Sequence, residues 1–145
     1  ATLVTTQKEI AARSFFTTRL KAYDMLELGE IIKAVKIPVK AGHTNGYIKD
    51  RLRNAIDFAL IALAYDVKLE DGVIADISLV LGGVAPVPYV LDDVAALLKG
   101  KKPTAELAAQ AGELAISKAT PMEKNAYKVN GIQAMVERFV ASLAQ

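Results

Sequence analysis

Two alternating runs flank Asp71-Gly72, and this pair constrains the fold more than any other stretch of the chain. Upstream, Tyr65, Val67 and Leu69 alternate with Asp66, Lys68 and Glu70; downstream, Ala75, Ile77, Leu79 and Leu81 alternate with Asp76 and Ser78. A period of two places apolar side chains on one face of a pleated strand and polar ones on the other. Asp-Gly tolerates the positive φ that a tight hairpin turn demands. The upstream run opens with Phe58-Ala59-Leu60-Ile61-Ala62-Leu63-Ala64, which taken alone also suits a buried helix. The alternation beyond it decides for strand, so the expectation is an antiparallel pair over 58–69 and 73–81.

Other extended segments precede this pair. Leu3-Val4 and Glu9 to Arg13 read as short extended pieces with a polar break between them. Ser14 is placed to cap a short helical turn over Phe15-Phe16-Thr17-Thr18-Arg19-Leu20, with the adjacent aromatics as a core anchor. Leu26 to Glu30 reads as a turn, followed by a strand over 31–37. There Lys33, Val35 and Ile37 share one face, and Ile32, Ala34 and Lys36 the other. Pro38 ends that strand because it has no ladder donor. Asn45-Gly46 suits a hairpin turn before a strand over Tyr47 to Arg53.

The remainder is helical. Asp92 is a candidate N-cap and Asp93 suits the positive end of a helix dipole, with Val94, Leu97 and Leu98 as the apolar stripe and Gly100 as the stop. Thr104 caps a second helix bearing Leu107, Ala111, Leu114 and Ala115, and Pro121 separates it from a third. In that last helix Ile132, Met135, Val136, Phe139, Val140 and Leu143 fall at helical spacing. Strands first and helices after make an α+β domain: an antiparallel sheet of about three to four strands, with about three helices packed on one face.

Composition narrows function. At 145 residues the chain suits one domain, with or without a small N-terminal appendage, and 52% hydrophobic residues suffice for a core. Net charge is +2 and the basic residues are dispersed without interleaved aromatics, which argues against nucleic-acid binding. The chain has no cysteine, so it supplies no disulfide, thiolate ligand or thiol nucleophile. No apolar run is long enough for a membrane span. The first residues, Ala1 to Gln7, lack the basic and apolar regions of a signal peptide, making the cytoplasm the default compartment. They begin directly in a β-prone run without Met, as if the chain started inside a larger protein.

Few residues stand out as chemical. His43 has no triad partner or metal-ligand spacing around it and reads as a solvated turn residue. Asp24, Glu27 and Glu30, and more loosely Asp66, Glu70 and Asp71, read as solvated carboxylates. Asp57, between Ile56 and Phe58, is a candidate for partial burial and pairing with Arg51 or Arg53. Lys49, mid-strand, has two readings: an edge-strand lysine that discourages strand addition, or a cation aimed at an anionic cofactor. Gly82-Gly83 lacks the spacing of a phosphate loop and is followed by Pro86 and Pro88, so it marks a sharp turn or close backbone approach. Ser14, Ser78, Ser117 and Ser142 sit in no nucleophile elbow.

Several segments, in order, resemble one family. They are Phe15-Phe16, Leu28-Gly29-Glu30-Ile31-Ile32, Ile37-Pro38, Tyr47-Ile48-Lys49, Asp57-Phe58-Ala59-Leu60, Ile77 to Pro88 through Gly82-Gly83-Val84-Ala85-Pro86, and Lys124-Asn125-Ala126-Tyr127-Lys128-Val129. The set resembles the C-terminal domain of the FAD-binding (medium) subunit of molybdenum hydroxylases, the group that includes carbon monoxide dehydrogenase, xanthine dehydrogenase and aldehyde oxidoreductase. The resemblance implies that residues 1–13 are the tail of a preceding FAD-binding domain and 14–145 the flavoprotein C-terminal domain.

It also implies a role. Ile31 and Ile32 match the place where the family lays two apolar side chains against the isoalloxazine, and Lys49 the lysine that approaches its polar edge. Arg53 and Asp57 are supporting candidates for the same site. The family's glycine-rich pyrophosphate and ribityl contacts have no counterpart in these residues, so FAD would be shared with an N-terminal FAD-binding portion. Electrons would arrive from an iron–sulfur subunit, fed by a molybdopterin subunit, and leave through FAD to an acceptor. The chain alone would be inactive, and its substrate is set elsewhere. The competing reading is a non-catalytic α+β module that docks to a partner and binds no cofactor.

Overall fold

A computed structural model of the chain describes residues 1–19 and 22–144. These fall into two compact units, Ala1–Ala41 and Gly42–Gln145.

The N-terminal unit runs β1 (Thr2–Thr5), β2 (Glu9–Ala11), a single helical turn α1 (Ala12–Phe15), β3 (Phe16–Arg19), β4 (Ala22–Asp24) and β5 (Ile32–Lys36). Strand β1 lies between β2 and β5, antiparallel to both, with Leu3 opposite Ile10 and Val35. The helical turn expected over 15–20 is displaced: it ends at Phe15, and Phe16–Arg19 is extended. Thr17 and Thr18 are β-branched, which favours the pleated conformation, and β3 gains a ladder with β4 through Phe16 and Asp24. Leu20, the end of the expected turn, lies outside the described residues. Of the two aromatics only Phe15 is buried; Phe16 is half exposed and meets it edge-on, with centroids 5.1 Å apart. Glu30 is also buried, contrary to its reading as a solvated carboxylate. It accepts from the Glu27 amide at 2.8 Å, meets the Thr5 hydroxyl and lies 3.4 Å from the Lys8 ammonium, and so closes the 26–30 turn. These contacts, the Thr5 hydroxyl foremost, hold its carboxyl below the ordinary range.

In the C-terminal unit β6 (Thr44–Asp50), β7 (Ile61–Glu70), β8 (Val73–Gly82) and the short β9 (Tyr89–Val90) form, among the described residues, one antiparallel sheet in chain order. The expected β7–β8 hairpin is present, with Asp71 at φ +51° and Gly72 at +73°. One face differs from expectation. A bulge puts Leu69 opposite Ile74 and Lys68 opposite Asp76, leaving Ala75 between. The extra residue moves Ile74, fully buried, into the place that simple alternation assigns to Ala75.

Strand β6 also departs from expectation. Asn45 and Gly46 are within the strand, opposite Asp66 and Tyr65, and not in a turn. The glycine is needed for room: a Cβ there would lie 2.4 Å from the Tyr65 hydroxyl. The Tyr65 ring crosses that space and packs on Phe139, with centroids 4.5 Å apart. The strand ends at Asp50, not Arg53, and β7 begins at Ile61, not Phe58.

Helices α2 (Asp92–Leu98), α3 (Ala105–Ile116) and α4 (Tyr127–Ser142), with a 3-10 turn at Glu123–Asn125, follow the sheet. Leu91, not Asp92, precedes the first turn of α2, and no side chain caps it; Asp92 and Asp93 lie inside that turn, where they still complement the dipole. Thr104 caps α3 as expected, its hydroxyl accepting from the Leu107 amide at 3.1 Å. The helices cover one sheet face. Ile61, Leu63, Leu79 and Leu81 join Val94, Leu98, Val136 and Val140 in one buried cluster. Each such side chain contributes about 1.5–3 kcal/mol on burial, so this layer is what holds the unit together.

Candidate functional site

The candidate residues of the C-terminal unit meet in the connection between β6 and β7. Lys49 lies opposite Ala62, one residue from the pair of Ile48 and buried Leu63. Alternation therefore puts it on the sheet face that the helices do not cover. Its ammonium donates to the Asp57 carbonyl at 2.9 Å. The Asp57 carboxylate turns back on Arg53, accepting from its amide at 2.8 Å and from its guanidinium at 3.4 Å. The same guanidinium reaches the Ile56 carbonyl at 3.4 Å, and the Leu60 amide donates to the Asp50 carbonyl at 2.8 Å.

These contacts explain why the strand stops at Asp50: the Arg53 amide finds its acceptor in a side chain rather than a ladder. They also hold Ile56 at φ +46°, a left-handed conformation that costs a β-branched residue about 1–3 kcal/mol. Asp57 is held ionised below the ordinary carboxylate range, chiefly by the Arg53 amide and then by its guanidinium. The expected Asp57–Arg53 pairing is thus present. The backbone closure and the strained Ile56 were not foreseen; the Arg-x-x-x-Asp spacing was their only trace in the sequence. The loop is fixed, yet Leu52, Ile56 and Phe58 are almost fully exposed on it.

Ile31 and Ile32 belong to the N-terminal unit, where both are exposed, at 64% and 39%. Within the C-terminal unit the structure therefore brings Lys49, Arg53 and Asp57 together.

His43 is not a solvated turn residue. Its side chain is only 9% exposed and sits between two carboxylates, Nδ1 being 3.2 Å from Asp66 and Nε2 3.9 Å from Asp76. Lys99 pairs with the same Asp76 at 3.1 Å. The carboxylates face opposite nitrogens and do not converge on one point. Among the described residues no group of His, Asp and Glu is placed to hold a metal ion, and no helix is long and apolar enough to cross a membrane.

Comparison with known proteins shows the family of the chain. Residues 47–143 match the model of the CO dehydrogenase flavoprotein C-terminal domain. The chain belongs to that family. Its matched segment starts within β6, two residues before Lys49, and runs through α4. The glyceraldehyde dehydrogenase medium chain of Sulfolobus acidocaldarius is 36% identical over 74 residues, which cover 51% of this chain and 26% of that one. Carbon monoxide dehydrogenase from Hydrogenophaga pseudoflava superposes with a TM-score of 0.80 at 26% identity, over 94% of this chain and 50% of that one. Quinoline 2-oxidoreductase from Pseudomonas putida 86 gives 0.84 at 23% identity, over 99% and 52%, and shows the shared fold. The chain spans about half the length of these structural relatives. The CO dehydrogenase flavoprotein domain is α+β, as the sequence reading held, and the chain is a flavoprotein medium-subunit domain of the molybdenum hydroxylase family.

Proposed function

We propose that this chain completes the flavin site of a molybdenum-dependent oxidoreductase and helps relay electrons from iron–sulfur clusters through FAD to an acceptor. The observation that carries the reading is Lys49. Its ammonium is tethered by one hydrogen bond to the Asp57 carbonyl, on a loop that Asp57 and Arg53 close. An ammonium has three donors, so two remain for a ligand. Within the C-terminal unit Lys49 supplies a tethered cation suited to a polar ring edge, and within the N-terminal unit Ile31 and Ile32 supply an exposed apolar surface suited to a ring face. Bound FAD would supply the electron-carrying chemistry that no side chain of this chain can.

Each residue then has a task. Ile31 and Ile32 exclude water from a ring laid on them. Lys49 favours negative charge on the ring by direct attraction. Arg53 and Asp57 hold the loop so that Lys49 keeps its position. Pyrophosphate binding falls to an N-terminal FAD-binding portion, of which residues 1–13 are the tail. The family match begins only at residue 47, which supports extending that assignment to the whole N-terminal unit. Iron–sulfur and molybdopterin subunits would be the partners, and the molybdopterin subunit would choose the substrate. A docking module without cofactor is the weaker reading, because the family match is to a flavoprotein domain.

The test is a reductive titration of the intact flavoprotein carrying Lys49→Met. Loss of the cation should lower the flavin reduction potential while leaving the flavin content unchanged. An unchanged potential would return Lys49 to the role of an edge-strand lysine.

A further inference from the structure

At the β9 edge of the sheet, the edge opposite to β6 and Lys49, the molecule has a cavity of about 430 Å³. One wall is Leu81, Val84 and Pro86, from the end of β8 and the Gly82-Gly83 turn; the other is Val129 and Ile132 of α4. Its cations are Lys118 and Lys128. Lys128 donates to the Gly83 carbonyl at 2.7 Å and so ties the two walls together. Lys118 is held by an ion pair with Asp93, which keeps it protonated. Each ammonium retains donors beyond these contacts.

Two properties decide what such a cavity can take. Its volume lies in the range of small-molecule sites, which are mostly apolar with a few placed polar groups. Among the described residues its lining carries two ammonium groups and no carboxylate, Lys118 being paired with Asp93 and Lys128 with no carboxylate, which favours an anion over a cation there. The two segments that build it, 82–88 and 124–129, also carry most of the sequence resemblance to the family; Gly83 lies close to the Ala59 and Leu60 carbonyls, at the end of the β6–β7 connection. Lys49, Arg53 and Asp57 do not line the cavity.

We propose that this cavity is a binding site for a small organic monoanion, a compact apolar body bearing one carboxylate. The body lies between Val84 and Pro86 on one side and Val129 and Ile132 on the other. The carboxylate is held by Lys118 and Lys128 at the mouth. No bond is made or broken there; the site is one of recognition.

Benzoate is a suitable probe, with benzyl alcohol as the neutral control, in amide NMR titrations of the full chain at low salt. The expected result is saturable shifts at cavity residues with benzoate and none with benzyl alcohol at the same concentrations. Lys118→Gln should weaken benzoate by about fivefold, the worth of one partly solvated charge contact. Lys128→Gln should do the same, because glutamine can still donate to the Gly83 carbonyl and keep the walls joined. Equal response to benzyl alcohol, absence of saturation at tens of millimolar benzoate, or undiminished binding in both variants with unchanged spectra would each overturn the proposal.

Discussion

Helix α4 meets strand β7 at Gly131, and that contact yields a prediction whose sign can be reversed. A Cβ on Gly131 would lie 2.4 Å from Ile61 Cδ1, while Ile61 Cγ1 would be 3.9 Å away. Ile61 is only 2% exposed, so its tip has little room to retreat. Gly131→Ala gains about 1 kcal/mol from helix propensity. Displacing Ile61 within a packed layer costs about 1–3 kcal/mol. The net effect is a loss of about 0–2 kcal/mol. Ile61→Val alone costs about 0.5–1.5 kcal/mol, because it leaves a small void. On that background the obstructing methyl is gone and 3.9 Å is ordinary contact. Gly131→Ala should then stabilise the protein by about 1 kcal/mol. The coupling between the two sites is about 1–3 kcal/mol. Urea unfolding of the four proteins, followed by far-UV circular dichroism, measures it, since among the described residues long helices occur only in the C-terminal unit. If Gly131→Ala has the same sign and size on both backgrounds, within about 0.4 kcal/mol, the close approach of α4 to β7 is wrong.

Three further outcomes follow from the same structure. Thr104→Ala removes the hydroxyl that accepts from the Leu107 amide, and should cost about 1 kcal/mol in urea unfolding, with Thr104→Ser restoring most of it. Gly46→Val forces the Tyr65 ring off Phe139 and should cost about 1–3 kcal/mol; a neutral result would mean that the ring does not cross β6. The folded Asp57 carboxyl titrates below its unfolded value of about 4, so the loop closure it adds is complete above that pH and fades as pH falls through the lower folded value. Protection of the Arg53 amide from hydrogen exchange should therefore drop in that acid window, and Asp57→Asn should abolish the step; protection without a step in the native protein contradicts the carboxylate's role.

The sheet was legible where side-chain period and turn chemistry agreed. Asp71-Gly72 between alternating runs has few other solutions, and the apolar spacing of 132–140 has none better than a helix. Single-residue departures were not legible. The bulge at Ala75 swaps which residue faces the core, yet Ile74 and Ala75 are both apolar and the pattern cannot tell them apart. Asn45-Gly46 carries the same turn signature as Asp71-Gly72, but here a distant ring, Tyr65, needs the space. His43 reads as a turn residue because the carboxylates that enclose it come from other strands. At the site, Arg53 and Asp57 were visible as a local pair, whereas the hydrogen bond from Lys49 to the Asp57 backbone depends on loop closure that no spacing encodes. Thr17 and Thr18 gave a usable warning against the helical turn at 15–20, since β-branched pairs favour strands.

In the proposed function these residues complete a flavin site whose remaining contacts come from an N-terminal FAD-binding portion. The most direct measurement is the intact mass and visible absorption of the native preparation, isolated without a tag on this chain. The expected result is that these residues occur with the FAD-binding portion, in one chain or as a companion chain, and that the preparation carries stoichiometric flavin absorption. A single colourless species of this chain's mass, stable and without a flavin-bearing companion, would contradict it.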